Sequence, residues 1–276
     1  MNFHKMQGAA NDFVVVDGRA ERAVDWAALA IKACDRRRGV GADGLLALED
    51  SDDADFRMRY HNADGSIGEM CGNGIRCMAK FALDIGATKA GSLVWETGAG
   101  RIATEVLEYS GGVAMVRADM GPPRFAPSEI PVDASGPEVL ETPFAVNGSQ
   151  LRLTCVSMGN PHAVTFVDSV TEFPLERLGP EVEHHPAFPN RTNFEIVEVI
   201  DAGHLRMRVW ERGVGETMAC GTGACAVAVA SQMVRQTASD VDIEVPGGRL
   251  RVSWRPGENV LLTGPAETSF TGELPW

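Results

Sequence analysis

The sequence predicts an α+β protein made of two pseudo-symmetric halves, each β-rich and wrapped around one central helix. An internal repeat runs along the chain at a constant offset, and similar strand–turn–helix segments recur in both halves. A proline-rich stretch separates the halves. The length of 276 residues is enough for about two domains of ordinary size.

The composition is typical of a water-soluble globular chain, with 44% hydrophobic and 23% charged residues. The formal net charge of -13 argues against a nucleic-acid partner or an anionic membrane surface. The sequence contains no long uncharged apolar run for a transmembrane helix, and its first residues lack the basic-then-apolar pattern of a secretory signal. We therefore expect no membrane partner and a cytoplasmic location.

The repeat is read from two motifs that recur at one offset. Arg57 and Arg206 each begin an R-M-R segment, and they lie 149 positions apart. The same offset places Cys71 on Cys220, so that C-G-N-G falls on C-G-T-G. It also aligns Asn11 with Asn160, Asn62 with Glu211, and Gly44 with Asn193. Two motif matches at a single offset predict two domains of like architecture that face each other.

The connection between the halves is predicted at 119–137, which contains five prolines. Such a stretch cannot sustain a helix or a central strand. We place the first domain at 1–119, joined by the tail at 264–276, and the second domain at 120–263.

Each cysteine is preceded by an alternating segment, 56–61 in the first half and 205–210 in the second, which predicts a strand. The period of two puts Asn62 and Glu211 at the ends of these strands, pointing inward. A buried polar group needs a partner, and a ligand is one possibility.

A helix is predicted directly after each cysteine. In the first half Gly86 supplies a stop signal. In the second half, 224–234 is apolar on nearly all sides, which indicates a helix buried within the strands. The segments DFVVVD and HAVTFVD indicate further strands.

Cys71 and Cys220 are thus expected at helix N-termini, where unpaired backbone N–H groups and the macrodipole favour negative charge. This setting is expected to lower the pKa of each thiol. It also suits a substrate carboxylate, held by N–H groups from both helices.

Two such cysteines predict an amino-acid epimerase, with one thiolate removing the α-proton and one thiol delivering a proton to the opposite face. Clamping the carboxylate stabilises the charge that develops as the proton leaves. Pyridoxal phosphate would require a Schiff-base lysine and a phosphate-binding loop, and no such loop is recognisable beside the four lysines. We therefore expect no cofactor.

A thiol redox or metal-binding module is the alternative from a different class. The cysteine spacings lack the C-x2-C pattern of zinc sites, and no histidine falls at a useful interval. We therefore expect no metal. The remaining cysteines are interpreted as ordinary packing residues: Cys34, Cys77, Cys155 and Cys225.

The chain resembles the diaminopimelate epimerase family along nearly its whole length. The matching segments are KMQGAANDFVVVD (5–17), RGVGADGLL (38–46), NADGSIGEMCGNGIRC (62–77), VSMGNPHAVTFVD (156–168), FPNRTNFEIVEV (188–199) and LRMRVWERGVGETMACGTGAC (205–225). The resemblance implies two pseudo-symmetric β-barrel-like domains, each around a central helix, with the active site in the cleft between them. It implies interconversion of LL- and meso-2,6-diaminopimelate in lysine and peptidoglycan-precursor biosynthesis, without pyridoxal phosphate or metal.

The resemblance also implies residue roles. Cys71 and Cys220 are similar to the catalytic base and acid, and His162 and Glu211 to groups that tune them. The helix-end donors for the reacting carboxylate would be Gly72, Asn73, Gly221 and Thr222. The other implied substrate contacts are Asn11, Gly44, Asn62, Asn160, Asn193, Glu211 and Arg212.

The chain departs from the family pattern at several positions. The family often has glutamine where this chain has Gly44, and loss of that amide is expected to leave room near the distal end of the substrate. Gln7 and Ala10 replace a commoner histidine and glycine. The family's dimer-forming tail usually carries a tyrosine, and this chain has Phe270 near that position. The resemblance therefore implies a homodimer.

A third hypothesis keeps the chemistry and changes the substrate, since related enzymes act on proline, hydroxyproline or histidine. Asn62, Asn193, Glu211 and Arg212 together favour a substrate with a second carboxylate and ammonium far from the reacting carbon.

Overall fold

The structure is a computed structural model that describes residues 1–21, 23–110 and 112–275. Within these ranges the chain forms four α-helices and one 3-10 turn at Pro127–Glu129. The helices are α1 (Trp26–Cys34), α2 (Gly72–Asp84), α3 (Leu175–Glu183) and α4 (Gly221–Arg235).

The strands divide at the proline-rich connection. The strands before it are β1 (Asn2–Gly8), β2 (Asn11–Asp17), β3 (Gly44–Glu49), β4 (Phe56–Asn62), β5 (Ser92–Thr97), β6 (Gly100–Ser110) and β7 (Val113–Asp119). The strands after it are β8 (Thr142–Val146), β9 (Ser149–Ser157), β10 (Pro161–Phe166), β11 (Asn193–Asp201), β12 (His204–Glu211), β13 (Gly215–Thr217), β14 (Asp240–Val245), β15 (Gly248–Ser253) and β16 (Leu261–Glu273).

The chain separates into two compact units. Unit 1 comprises Met1–Asp119 and Thr263–Trp276, and unit 2 comprises Met120–Leu262. The last strand, β16, therefore lies mainly in unit 1, although it comes at the end of the sequence.

The strands of unit 1 form a closed barrel. They hydrogen-bond in the order β1-β2-β3-β4-β5-β6-β7-β16, and β16 also pairs antiparallel with β1. The β2–β3 and β4–β5 pairs are parallel. Closure leaves the strands of this unit without an exposed edge.

Helix α2 fills the barrel of unit 1, where it contacts β1, β2, β3, β6 and β7. Its apolar residues are almost fully buried, including Ile75, Met78 and Phe81. It ends as the sequence predicts, because Gly86 adopts a positive φ of 68° just beyond its last turn. Helix α1 packs against β2, β3 and β4, and the Asp25 side chain caps its first turn by accepting from Ala28 N.

The strands of unit 2 are hydrogen-bonded in the order β8-β9-β10-β11-β12-β14-β15, and β13 pairs with β12. Helix α4 packs against β9, β10, β11 and β15. Its residues Gly223–Ser231 are all buried, as the apolar run at 224–234 predicts. Helix α3 packs on β8, β11, β12 and β13.

The structure confirms the α+β fold, with strands wrapped around a central helix in each unit. Beyond Asp119, which ends β7, the connection up to residue 137 contains the short 3-10 turn and an isolated bridge between Arg124 and Ser157, which agrees with its prolines. Among the described residues, none of the helices has both the length and the apolar character that crossing a membrane requires.

Candidate active site

Cys71 caps the N-terminus of the barrel helix in unit 1. Its backbone is extended, with φ −138° and ψ 119°, and its Sγ accepts from Gly74 N at 3.4 Å. Ile75 N donates to Cys71 O at 2.8 Å, the first backbone bond of the helix. The backbone N–H groups of Gly72 and Asn73 lie in this first turn, where a helix offers donors to an anion.

The side chain of Asn11 lies against Cys71. Asn11 Oδ1 is 3.5 Å from Cys71 Sγ and accepts from Asn73 Nδ2 at 3.2 Å. The buried Arg76 guanidinium holds the other end of the Asn73 amide, at 2.9 Å from Oδ1. The Asn73 amide is therefore held at both ends, by Asn11 of β2 and by Arg76 of its own helix.

A carboxylate holds the amide nitrogen of Asn11. Asn11 Nδ2 donates to Asp43 Oδ2 at 2.8 Å, and Arg36 bridges Asp43 and Asp12 with two 2.8 Å bonds. Asp12 is partly buried, which opposes ionisation, but hydrogen bonds from Arg36 and Lys5 outweigh burial and lower the pKa of Asp12 to about 2. This network keeps the carbonyl end of Asn11 turned toward the cysteine.

Asn62 and Gly44 lie opposite each other at the ends of β4 and β3. Asn62 Nδ2 donates to Ser66 Oγ at 2.9 Å. The expectation of spare room at Gly44 is wrong, because a β-carbon there would lie 2.7 Å from the Tyr60 ring and 2.8 Å from His61 O. The Tyr60 ring already fills this space.

Cys220 repeats the arrangement in unit 2. It caps α4 with an extended backbone, φ −115° and ψ 117°, and its Sγ accepts from Gly223 N at 3.3 Å. Thr222 Oγ1 lies 3.5 Å from the same sulfur. The backbone N–H groups of Gly221 and Thr222 begin the helix, as their counterparts do in unit 1.

The predicted fall in the pKa of the cysteine thiol is wrong for Cys220. Burial first, and then the carboxylates of Glu211 and Glu195, raise the pKa of Cys220 well above its usual value. The Thr222 hydroxyl and the Gly223 N–H act in the opposite direction, but with less effect. Cys220 is only 5% exposed, and the free-energy cost of charging its buried thiol is larger than the stabilisation that the helix terminus gives to a thiolate.

Glu211 lies at the end of β12, as predicted, and accepts a hydrogen bond from the Thr217 hydroxyl. Burial raises the pKa of Glu211, although hydrogen bonds from Thr217 and Cys220 oppose the shift. The carboxyl group of Glu211 is therefore placed to exchange a proton with the Cys220 thiol.

Asn160 and His162 lie beside this cysteine and are joined to a residue that the sequence analysis missed. His162 Nε2 is 3.0 Å from Asn160 Oδ1, and His162 Nδ1 is 2.7 Å from Glu195 Oε1. Asn160 Nδ2 donates to Thr222 Oγ1 at 3.3 Å. Glu195 lies two positions after Asn193 on the same strand, so the period of two places it on the same face, and this was the available signal.

Asn193 and Arg212 are connected through backbone contacts. Asn193 Nδ2 donates to Pro161 O at 2.8 Å, and its Oδ1 accepts from Arg212 N at 2.9 Å. The Arg212 side chain is exposed and donates to Asn190 O at 3.2 Å. Asn193 is 3% exposed, so this geometry gives it a role in holding Arg212 in place.

Glu183 is a second residue that the sequence analysis missed. Its Oε2 accepts from Trp210 Nε1 at 2.8 Å, and its Oε1 accepts from Gly213 N at 2.9 Å. These bonds anchor the chain on either side of Glu211 and Arg212. No local motif identifies Glu183, because its partners lie about 30 positions away in the sequence.

The structure places the predicted residues in two clusters, one in each unit. The unit 1 cluster contains Asn11, Cys71, Gly72 and Asn73, with Gly44 and Asn62 paired at their strand ends. The unit 2 cluster contains Asn160, His162, Asn193, Glu211, Arg212, Cys220, Gly221 and Thr222. In the described part of the chain, no group of three or more His, Cys, Asp or Glu side chains could hold a metal ion.

The cysteines outside these clusters are packing residues. Cys34, Cys77, Cys155 and Cys225 are all buried. Burial raises the pKa of the Cys34 and Cys77 thiols to about 12.

Known structures share this fold at low sequence identity. A Bacillus anthracis phenazine biosynthesis protein of the PhzF family aligns with a TM-score of 0.72 and 20% identity, covering 100% of this chain and 99% of that one. A hydroxyproline epimerase from Agrobacterium vitis, solved with bound trans-4-hydroxy-L-proline, aligns with a TM-score of 0.69 and 16% identity, covering 99% of this chain and 91% of that one. At these identities the likeness concerns the fold alone.

Sequence comparisons are more specific. The family model described as diaminopimelate epimerase matches residues 3–126 and 154–269. A diaminopimelate epimerase of Moorella thermoacetica is 49% identical over 277 residues, covering 100% of this chain and 99% of that protein. A diaminopimelate epimerase of Pelotomaculum thermopropionicum is 48% identical, covering 100% of this chain and 99% of that protein. The chain therefore belongs to the diaminopimelate epimerase family.

Proposed function

We propose that this protein epimerises LL-2,6-diaminopimelate to meso-2,6-diaminopimelate through Cys71 and Cys220, without pyridoxal phosphate or a metal. The observation that carries the proposal is the repeated cysteine cap. In each unit the cysteine sulfur accepts a hydrogen bond from the backbone N–H three residues later, at the start of a buried helix. Family membership supports the substrate.

The first step is binding of the carboxylate next to the reacting carbon. Backbone N–H groups at Gly72, Asn73, Gly221 and Thr222 are the proposed donors. Helix N-termini favour an anion at this position, and the favourable interaction grows as the α-proton leaves and charge moves onto the carboxylate.

The second step is proton exchange at the α-carbon. One thiolate takes the α-proton and becomes a thiol, while the other thiol gives its proton to the opposite face of the carbon and becomes a thiolate. The proton count of the pair is unchanged and the carbon is inverted. The reaction requires both sulfurs to reach one carbon from opposite sides, and the reverse reaction exchanges their roles.

The side chains around Cys220 support its assignment as the proton donor in the forward direction. Burial and the neighbouring carboxylates raise the pKa of Cys220, so its thiol form is favoured before substrate binds. Glu211, whose own pKa is raised by burial, is the group proposed to exchange protons with it, and His162 is the second tuning group.

Recognition of the distal amino-acid end is assigned to Gly44, Asn62, Asn193, Glu211 and Arg212. The exposed Arg212 guanidinium offers paired donors to a second carboxylate. Asn11 and Asn160 are assigned to the reacting end, since each lies beside a helix-capping cysteine or its threonine neighbour.

The proposed setting is the cytoplasm, in lysine and peptidoglycan-precursor biosynthesis, with the enzyme acting as a homodimer. No nucleic-acid or membrane partner is proposed.

Deuterium uptake from heavy water tests the chemistry directly. LL-diaminopimelate incubated with the protein is expected to gain one α-deuteron as meso product forms, while proline and histidine controls gain none. We expect Cys71→Ala and Cys220→Ala to abolish epimerisation, and serine at either position to leave weak activity, because a hydroxyl is a far poorer base.

Cys34→Ala is the matched control, since this buried thiol lies outside both clusters. It should retain full epimerase activity. More than a trace of epimerisation by either alanine variant at position 71 or 220 would refute the two-cysteine scheme. Faster turnover of proline or histidine than of diaminopimelate would refute the proposed substrate.

A further inference from the structure

The two asparagines that the repeat aligns present opposite ends of their amides to the cysteine-capped helix of their own unit. In unit 1, Asn11 Nδ2 is bound to Asp43, so the oxygen faces Cys71. In unit 2, Asn160 Oδ1 is bound to His162. The nitrogen of Asn160 therefore faces the N-terminus of α4, where it donates to a threonine hydroxyl.

The group behind each asparagine explains this difference. A carboxylate can only accept hydrogen bonds, so it draws the NH2 end of an amide. A ring N–H can only donate, so it draws the carbonyl end. The direction of the Asn160 amide therefore depends on His162 Nε2 carrying a hydrogen.

His162 is held in turn by Glu195. Both side chains are 0% exposed, and His162 Nδ1 lies 2.7 Å from Glu195 Oε1. Both ring nitrogens of His162 thus face oxygen atoms, one of Glu195 and one of Asn160. A ring that donates from both nitrogens is an imidazolium, and a buried charge of this kind needs an opposite charge beside it.

Glu195 lies against the N-terminal end of α4. A β-carbon at Gly223 would lie only 2.8 Å from Glu195 Oε1, so the carboxylate packs directly against the first turn of α4. The positive end of the helix macrodipole stabilises an anion there. Within the described residues, Glu195 Oε2 has no hydrogen-bond partner, so His162 is the principal hydrogen-bonding partner that holds this side chain.

We propose that Glu195 is a positioning residue that forms a buried ion pair with His162 and thereby fixes the Asn160 amide with its NH2 group toward Thr222. Thr222 Oγ1 then accepts from Asn160, which leaves the threonine hydroxyl hydrogen available to Cys220 Sγ, 3.5 Å away. The contribution to catalysis rests on the proposed function, whereas the ion pair itself does not.

Side-chain ¹⁵N NMR of histidine-labelled protein without substrate tests the ion pair. His162→Gln identifies the signals of His162 among those of the six histidines. In the unaltered protein at neutral pH, we expect both ring nitrogens of His162 to carry hydrogen. In Glu195→Gln, whose neutral amide cannot balance a buried cation, we expect one ring nitrogen to lose its hydrogen.

Kinetics test the positioning role. We expect Glu195→Gln to lower kcat/KM about tenfold or more, because the substitution removes a charge-assisted hydrogen bond. Glu195→Asp keeps the charge, so it should keep both ring hydrogens and recover part of the activity. Glu198→Gln, on the same strand and paired with Arg206, is the matched control and should stay within about twofold of the unaltered protein.

One bare ring nitrogen on His162 in the unaltered protein would overturn the ion pair, whether or not the Glu195 variants fold. Unchanged kcat/KM in a folded Glu195→Gln would overturn the positioning role. If the unaltered protein fails to epimerise diaminopimelate, the proposed function fails, and the NMR result still decides the ion pair.

Discussion

Asn11 and Cys71 lie 60 residues apart in the sequence, and their side chains meet with Asn11 Oδ1 3.5 Å from Cys71 Sγ. The same oxygen accepts from Asn73, so it orders two of the proposed site residues at once. We expect Asn11→Ala to lower kcat/KM about 10- to 100-fold, the range for losing hydrogen bonds to a reacting group. Steady-state epimerisation kinetics measure this.

Gln150→Ala is the matched control for that substitution, because it removes an exposed amide from β9 in unit 2. Its kcat/KM should be unchanged. If Asn11→Ala behaves like the Gln150 variant, Asn11 has no part in the site.

Glu183 is expected to control substrate affinity through the chain segment that it anchors. Glu183→Gln replaces one acceptor oxygen by an NH2 group, which then faces the donor of either Trp210 or Gly213. We expect KM for diaminopimelate to rise several-fold with a smaller change in kcat, because Arg212 is assigned to the distal end of the substrate. The free energy of unfolding should fall by about 1–3 kcal/mol.

Glu181→Gln, an exposed change on the same helix, serves as the control for that experiment and should leave KM and stability unaltered. A Glu183→Gln protein that loses stability but keeps its KM would limit Glu183 to a structural role.

Local patterns predicted much of this molecule. The C-G-x-G repeat placed Cys71 and Cys220 at helix starts, and both residues are N-caps in the structure. Alternating residues located the strands that end at Asn62 and Glu211. These features depend on residues close in sequence, which is why period and capping rules reach them.

What the sequence did not reveal depends on contacts between distant segments. Glu195 reaches His162 across 33 positions, and only packing brings them together. The direction of the Cys220 pKa shift depends on burial and on two carboxylates, neither of which a helix-terminus rule includes. The space beside Gly44 is taken by the Tyr60 ring, which no pattern at position 44 could indicate.

Buried thiols make the protein sensitive to alkaline pH. Burial raises the pKa of Cys34 and Cys77 to about 12, whereas an unfolded cysteine titrates near about 8.5. The unfolded state therefore loses these protons first, so their stabilising effect is complete below about pH 8.5 and is lost as pH rises toward about 12. Each such thiol should lower the free energy of unfolding by about 1.4 kcal/mol per pH unit in that window.

Urea unfolding at several pH values measures this slope. Cys34→Ala should lower the free energy of unfolding below about pH 8.5, because it leaves a small cavity. Above that pH the free energy of unfolding of the variant should fall less steeply, by about 1.4 kcal/mol per pH unit, because one titrating thiol is gone. An identical slope in the two proteins would mean that the Cys34 thiol titrates alike in the folded and unfolded states.

The hairpin before Asn11 contains backbone strain that a glycine would remove. Ala9 and Ala10 have φ values of 53° and 63°, a left-handed conformation that costs a residue with a β-carbon about 1–2 kcal/mol. Gln7 Oε1 accepts from Ala10 N at 2.8 Å and supports the turn. We expect Ala10→Gly to raise the free energy of unfolding by about 0.5–1 kcal/mol, after the entropy cost of glycine is subtracted.

Ala99→Gly provides the comparison, because this exposed turn residue has no positive φ to relieve. It should destabilise the protein slightly through added freedom in the unfolded chain. Equal stability changes at positions 10 and 99 would show that the left-handed turn costs nothing here.

We expect a charged substitution at Phe270 to disrupt the homodimer. It is 50% exposed on β16, opposite Lys5 of β1, and its ring lies edge-on to Phe3 at 6.0 Å. Exposed aromatic rings are enriched in surfaces through which proteins associate. Sedimentation should show a dimer for the unaltered protein and a monomer for Phe270→Asp, because a carboxylate cannot be buried there without a partner. Ile200→Asp, a similarly exposed apolar position in unit 2, should remain dimeric, and a Phe270→Asp protein that also stays dimeric would place the interface elsewhere.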